Sequence, residues 1–291
     1  MGDDQDQPLV SVIVPMYNER EFIEPTIESL LSQTYSNIEL IFVDDNSEDD
    51  TTDEVKSIVD GNRHAILKNK TNMGTTFSRN RGAMHAEGKY LVFHDADDVS
   101  TPNRIEKQVQ FLEANPETGV VGGAFYYVHP DQKEPELRVR PSSDQDIREG
   151  MGRGSMINAG TAMYRREAAF EAGLFQSENV EGYELIIEIG RNWKLANLPD
   201  PVYIYRINSG SRSQRKELLK KSILAYRSWQ AIKAFGLPYR NLLFQLGWFI
   251  YMNAPERVQR FIRTVFSPTE QRAVSDEEVK RIKSLLNTDN E

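Results

Sequence analysis

Four short apolar runs, Leu9-Val10-Ser11-Val12-Ile13-Val14, Ile38-Glu39-Leu40-Ile41-Phe42-Val43, Ala65-Ile66-Leu67 and Lys89-Tyr90-Leu91-Val92-Phe93, recur early in the chain, each followed by a segment of helical period. Rich in Val, Ile and Leu and stopped by Pro15, Asp44 and His94, they read as strands buried on both faces. Phe22, Ile23, Ile27, Leu30 and Leu31 share one helical face within 20–34. Residues 52–59 form a short helix behind the Ser and Asp caps of 44–51, and 75–86 form a third. Pro102 opens a helix to Ala114, Gly119 to Val128 is a further strand, and Pro201 to Arg206 is a closing strand. Alternation at this spacing predicts an α/β fold, a mostly parallel sheet with helices on both faces.

In open sheets of this kind ligands gather at the carboxyl ends of the strands. Polar clusters fall at those ends: Tyr17-Asn18-Glu19, Asp44-Asp45, Asn72 to Asn80, and Asp95-Ala96-Asp97-Asp98. Three carboxylates within four residues repel one another unless a cation sits among them, which makes the last cluster a metal-site candidate. The chain has no cysteine, so thiolate sites and disulfides are excluded and a hard cation, magnesium or manganese, is favoured.

With 39% hydrophobic residues among 291, the chain can bury a substantial core and is not disordered. No apolar run reaches the length of a membrane span, and Met1-Gly2-Asp3-Asp4 begins no signal peptide, so a cytoplasmic location is expected. The net charge of −9 is unevenly spread: 211–263 holds eleven Lys or Arg against Glu217 and Glu256, which makes it +9 and the remainder −18. Such a split points to two surfaces with different partners, and no nucleic-acid partner is expected.

The ordered set Val12-Ile13-Val14-Pro15-Met16-Tyr17-Asn18-Glu19, Ser29-Leu30-Leu31-Ser32-Gln33-Thr34-Tyr35, Val43-Asp44-Asp45-Asn46-Ser47, Asn72-Met73-Gly74, Ser78-Arg79-Asn80-Arg81-Gly82 and Asp95-Ala96-Asp97-Asp98 resembles the family 2 glycosyltransferases of GT-A (Rossmann-like) fold. The resemblance runs from about Pro8 to Ser213. It implies an inverting, metal-dependent enzyme that moves a sugar from a nucleotide sugar, expected to be a UDP-sugar, to a hydroxyl of a glycan or lipid-linked saccharide. The Gln-x-x-Arg-Trp pattern of processive polysaccharide synthases is missing, so one sugar per encounter is expected. Donor-binding residues by the same resemblance are Pro15, Tyr17, Glu19, Asp45, Asn72, Gly74, Arg79, Asp95 and Asp97. Tyr17 is placed to stack on the base, Asp45 to accept its imide hydrogen and Arg79 to face the diphosphate. Asp97 and Asp98 are the expected ligands of Mn2+ or Mg2+, Asp98 the more direct, with His94 a packed neighbour. Gly160 and Thr161, within Asn158 to Arg166, mark the acceptor side.

Inverting relatives supply a base carboxylate in a Glu-Asp-x-Asp-like segment. Val180-Glu181-Gly182-Tyr183-Glu184-Leu185 resembles it, but Gly182 stands where the aspartate would fall. Glu181 is the first expectation for the base and Glu184 the second, with Glu188 on the same helix face. The departure at Gly182 also suits a member that binds a nucleotide sugar or glycan without transfer. Asn208 stands where many relatives carry a metal-binding histidine.

Other classes lack their signatures. There is no G-x-G-x-x-G after the first strand for a dehydrogenase and no glycine-rich basic loop for a nucleotidyltransferase, and the acids follow the fourth strand, where an aspartate-nucleophile phosphatase would place them after the first. Residues 8–210 are expected to form the catalytic domain and 211–291 a C-terminal helical extension. Residues 134–154, rich in Pro, Ser, Gly and charge, read as a long loop, either a lid or a simple connection. Within 213–235 Leu219, Ile223, Tyr226, Trp229 and Ile232 form an apolar stripe, and 242–252 adds Trp248, Phe249, Ile250 and Tyr251. These suit peripheral contact with the cytoplasmic membrane face, a homodimer contact, or packing on the catalytic domain. Ser275 to Leu286 is expected as a terminal helix.

Overall fold

β1 (Val10–Met16) forms where its apolar run predicts, with every residue but Pro15 buried. In the computed structural model, which describes residues 7–59, 63–129, 134–177, 182–207, 217–238, 241, 270–272 and 274–286, β1 lies between two parallel partners. These are β2 (Ile38–Asp44) and β4 (Tyr90–Phe93), and β3 (His64–Lys68) adds in parallel beyond β2. Alternate side chains of β1 serve opposite faces, as a period of two requires. Val10, Val12 and Val14 join Ile23, Ile27 and Leu30 of α1 (Ile23–Leu31) and Val55 of α2 (Thr51–Ile58). Ile13 points the other way, to the cluster holding Ala83 of α3 (Thr75–His85).

After β4 the direction of pairing changes. The chain continues through β5 (Val99–Ser100), α4 (Arg104–Ala114), β6 (Thr118–Val128), β7 (Glu136–Val139), α5 (Asp144–Met151), a 3₁₀ turn at Ala159–Thr161, β8 (Met163–Arg165), α6 (Arg166–Glu171), α7 (Tyr183–Ile189) and β9 (Lys194–Arg206). α8 (Glu217–Phe235), β10 (Glu270–Arg272) and α9 (Asp276–Leu285) complete the described elements. β8 inserts antiparallel between β4 and β6, and the sheet order is β10-β7-β6-β8-β4-β1-β2-β3. β9 lies parallel to β6 and carries β5 antiparallel, which brings the acidic turn after β4 against the end of β9.

Two expectations are corrected. Residues 134–154 are not a loop: they hold β7 and α5, whose Ser143 cap accepts the Asp146 N–H. Ile147 and Met151, four apart, are fully buried, so α5 is a core element and not a lid. The strand expected at 201–206 begins instead at Lys194, and its register against β6 shifts between Gly123 and Ala124, opposite Pro199-Asp200-Pro201. Prolines lack the N–H a continuous ladder needs, and the flanking apolar residues pair on either side of them.

α8 packs on α5 and α7 and buries Ala231 and Ile232, while Tyr226 is 53% exposed. α9 opens with a capping box of Ser275 and Glu278 and seats Ile282 and Leu286 against Val99, Tyr126 and Ile204. The aromatic-rich stretch 242–252 and Asn208 lie outside the described residues. No helix among the described residues is long and apolar enough to cross a membrane.

Candidate active site

The carboxyl ends of β1 to β4 gather the donor-side residues. Tyr17 follows β1 and is 38% exposed, a surface aromatic open to stacking. Glu19 donates its N–H to Thr51 Oγ1 at 2.8 Å, and Asn18, in the left-handed region at φ 55°, exchanges bonds with Ser47 and Glu48. The two aspartates after β2 divide their work. Asp44 is fully buried, and burial alone would raise its pKa, but bonds from Ser47, Thr52 and Lys68 outweigh it and hold the carboxyl below its ordinary value.

Asp45, expected to accept the imide hydrogen of a base, spends its carboxylate on the chain itself. It accepts from Asn69 Nδ2 at 2.6 Å and from the N–H groups of Met73 and Gly74 at 2.8 Å each. It thereby fixes the turn that carries exposed Asn72 into α3, which Gly74 caps at φ 88°. A carboxylate has room for about four such bonds, so most of the acceptor capacity of the buried Asp45 is used within the chain.

At the end of β4 the three aspartates are not equivalent. Asp95 keeps a side-chain exposure of 32% and pairs with Arg79 Nη2 at 2.6 Å. Arg79, expected to face a diphosphate, is itself 3% exposed and lies over the Phe175 ring, so it reaches the cleft through Asp95. Asp97 is half-buried, and its carbonyl accepts from Arg206 Nε. Asp98, expected as the more direct metal ligand, is 1% exposed. Its Oδ1 accepts the Arg206 N–H at 2.7 Å, and the buried Tyr203 hydroxyl bonds the same carboxylate. Burial, and then the charges of Asp97 and Asp95, push its pKa well up. The β5–β9 pairing draws Asp98 under the turn, and no local pattern announces it.

No group of three or more His, Asp or Glu among the described residues stands ready to hold a metal ion. A cation nevertheless fits. Asp95 and Asp97 are the members of the acidic turn with exposed surface, so theirs are the carboxylates a cation can reach. Magnesium and manganese commonly bind through one or two carboxylates and take the remaining ligands from water and substrate phosphates.

Beneath the turn is a buried polar network that the sequence reading missed. His94 Nδ1 lies 2.8 Å from the Asp95 carbonyl, which can only accept, so this nitrogen carries the proton and Nε2 accepts from Ser100 Oγ at 2.9 Å. Burial lowers the His94 pKa to about 3, so the ring is neutral and packed, as expected. Arg104, fully buried, donates to Ser100 Oγ, Gln108 Oε1 and the Gly160 carbonyl and lies over the Tyr203 ring. Burial lowers its pKa to about 10, so it keeps its charge at neutral pH. Gly160 and Thr161, expected to face an acceptor, form the other wall of this network. A Cβ on Gly160 would sit 2.8 Å from the Tyr203 ring, and Thr161 is fully buried with its hydroxyl bonded to the Asn158 carbonyl. Arg104 sits one position before Ile105 in a helix whose buried face could have flagged it.

The base segment has a physical reason for its departure. Gly182 caps α7 at φ 82°, and a Cβ there would lie 2.5 Å from Ala159 Cβ, so an aspartate at this position would be both strained and crowded. Glu181 lies outside the described residues. Glu184, in the first turn of α7, is held by Arg227 Nη1 at 2.5 Å and accepts from Ser177 Oγ at 3.2 Å. Glu188 pairs with Arg191 at 2.6 Å on the helix surface.

The fold and the acid-rich strand ends define a GT-A glycosyltransferase, and the family model described as glycosyl transferase family 2 matches residues 11–171. The chain belongs to that family. The Escherichia coli UDP-Glc:alpha-D-GlcNAc-diphosphoundecaprenol beta-1,3-glucosyltransferase WfaP is 34% identical over 218 residues, 74% of this chain and 84% of that one. S. aureus TarS 1-349 in complex with UDP-GlcNAc shares the fold at TM-score 0.62 and 18% identity, over 87% of this chain and 83% of TarS. The mannosyltransferase PcManGT from Pyrobaculum calidifontis, in complex with GDP-Man and Mn2+, superposes at TM-score 0.60 and 17% identity, over 98% of this chain and 86% of that one.

Proposed function

We propose that the protein transfers one sugar from a nucleotide sugar, a UDP-sugar, to a hydroxyl of a lipid-linked saccharide or other glycan, with inversion and with dependence on Mn2+ or Mg2+. The observation that carries this reading is the convergence of exposed Tyr17 with the partly exposed carboxylates of Asp95 and Asp97 at the ends of adjacent parallel strands. Tyr17 offers a face for the base, and Asp45 holds the turn beside it. Asp97 and Asp95 would hold the metal, which when bound supplies positive charge against the leaving diphosphate. Arg79 orients Asp95.

Glu184 is the described carboxylate of the base segment that remains once Gly182 is set aside. In the reaction it takes the proton of the acceptor hydroxyl. The new C–O bond forms as the sugar–phosphate bond breaks, and that electron pair leaves on the nucleoside diphosphate. The acceptor class follows from the similarity to WfaP, a glucosyltransferase named for its action on alpha-D-GlcNAc-diphosphoundecaprenol. Peripheral contact with an anionic membrane face accords with such an acceptor and with the positive charge of 211–263. In this reading 8–210 is the catalytic domain and 211–291 its extension, which among the described residues holds α8 and α9 and also lends β10 to the edge of the sheet. A second reading, a member that binds nucleotide sugar without transfer, is favoured only by Gly182.

A thermal-shift screen of UDP-, GDP- and dTDP-sugars with and without manganese tests the donor. Ligand at a hundred times its Kd stabilises the native state by about 2.7 kcal/mol. A rise in Tm of several degrees is expected for a UDP-sugar only when manganese is present; equal shifts without metal would contradict the metal assignment.

A further inference from the structure

We infer that Arg227, from the C-terminal helix α8, is a positioning residue for the proposed base Glu184, so that the extension supplies a working part of the acceptor side. This rests on the reading of Glu184 given above. Arg227 is 8% exposed, and its fork spans two segments of the catalytic domain. Nη1 bonds Glu184 Oε1 at 2.5 Å and Nη2 bonds Ser177 Oγ at 3.2 Å. The single Ser177 hydroxyl proton goes to Glu184 Oε2 at 3.2 Å, which closes a ring of three side chains. Both oxygens of the carboxylate are therefore oriented, and Oε2 keeps a lone pair for an incoming proton. A second acceptor, Gln230 Oε1 at 2.6 Å, fixes the guanidinium from its own helix.

The ring also connects to the donor side. The Ser177 carbonyl accepts from Thr76 Oγ1 at 3.0 Å, in the first turn of α3, two residues past the Gly74 N–H that Asp45 holds. Glu184 is thus placed relative to the donor turn through two consecutive hydrogen bonds. Plain helix packing does not call for this pair. Side-chain exposures of 10% and 18% mean that both charges are largely desolvated, a cost that apolar residues such as neighbouring Ala231 and Ile232 avoid. A lysine could keep the charge but not the planar two-pronged grip.

The test uses the full chain with manganese, UDP-glucose and a polyprenyl-diphosphate-linked N-acetylglucosamine, reading UDP release, with donor binding by calorimetry. Misplacing a reacting group by about 1 Å can cost about a hundredfold. Arg227→Met is expected to lower kcat between about tenfold and a hundredfold, with the UDP-glucose Kd within about twofold of the parent. Arg227→Lys should recover part of the loss. If Arg227→Met does not fold, Ser177→Ala, which removes the proton that orients Oε2, should show a smaller kcat loss of the same kind. An unchanged kcat, or a donor Kd that weakens in proportion to kcat, overturns the inference. Glu184→Gln separates it from the reading beneath: turnover surviving that change removes Glu184 as base, whereas a dead Glu184→Gln beside an unaffected Arg227→Met overturns the role of Arg227 alone.

Discussion

Asp97→Ala is expected to lower turnover by at least about a hundredfold, with loss of manganese-dependent donor binding and little change in Tm. A bound cation on the leaving diphosphate is worth several kcal/mol of barrier, and each 1.36 kcal/mol is about tenfold in rate. Asp97 is half-buried and keeps exposed surface in the acidic turn, between Asp95, which pairs with Arg79, and the buried Asp98. Its carbonyl, which anchors Arg206, survives the substitution. Steady-state rates and calorimetry with manganese check this. Normal metal-dependent donor binding by the variant would move the metal away from Asp97.

Gly182→Asp, which restores the acid expected from relatives, should destabilise the protein and give no gain in turnover. A non-glycine residue at φ 82° carries strain of about 1–3 kcal/mol. The contact of 2.5 Å with Ala159 Cβ adds an overpacking cost of about 1–3 kcal/mol. At about 2–4 °C per kcal/mol for a chain of this size, Tm should fall by several degrees. A variant as stable as the parent and faster in transfer would show that the base belongs at 182 and that Glu184 is a structural acid.

Much of the fold was readable because β1, β2 and β4 are buried on both faces and cannot hide their apolar runs. The donor side followed, since clusters at strand ends line the cleft of any parallel sheet. What escaped depends on distant pairing. β7 and α5 have the Pro, Ser and charge content of a loop, and they fold because β6 and α8 cover them. Asp98 looks like the most forward acid of its turn until β9, a hundred residues later, takes it from below. Tyr203 carries no local sign that it will pack between His94 and Gly160. Gly182 was visible as a departure, but its cause, the Ala159 methyl against a left-handed cap, exists only in the folded chain.

The most direct test of the account is an NMR-monitored transfer reaction with manganese, UDP-glucose and a polyprenyl-diphosphate-linked N-acetylglucosamine. The predicted result is release of UDP with a new glycosidic bond of β configuration from the α-linked donor. A product that retains the α configuration would contradict the inverting mechanism, and donor binding with no transfer from any UDP-sugar would contradict the enzymatic reading itself.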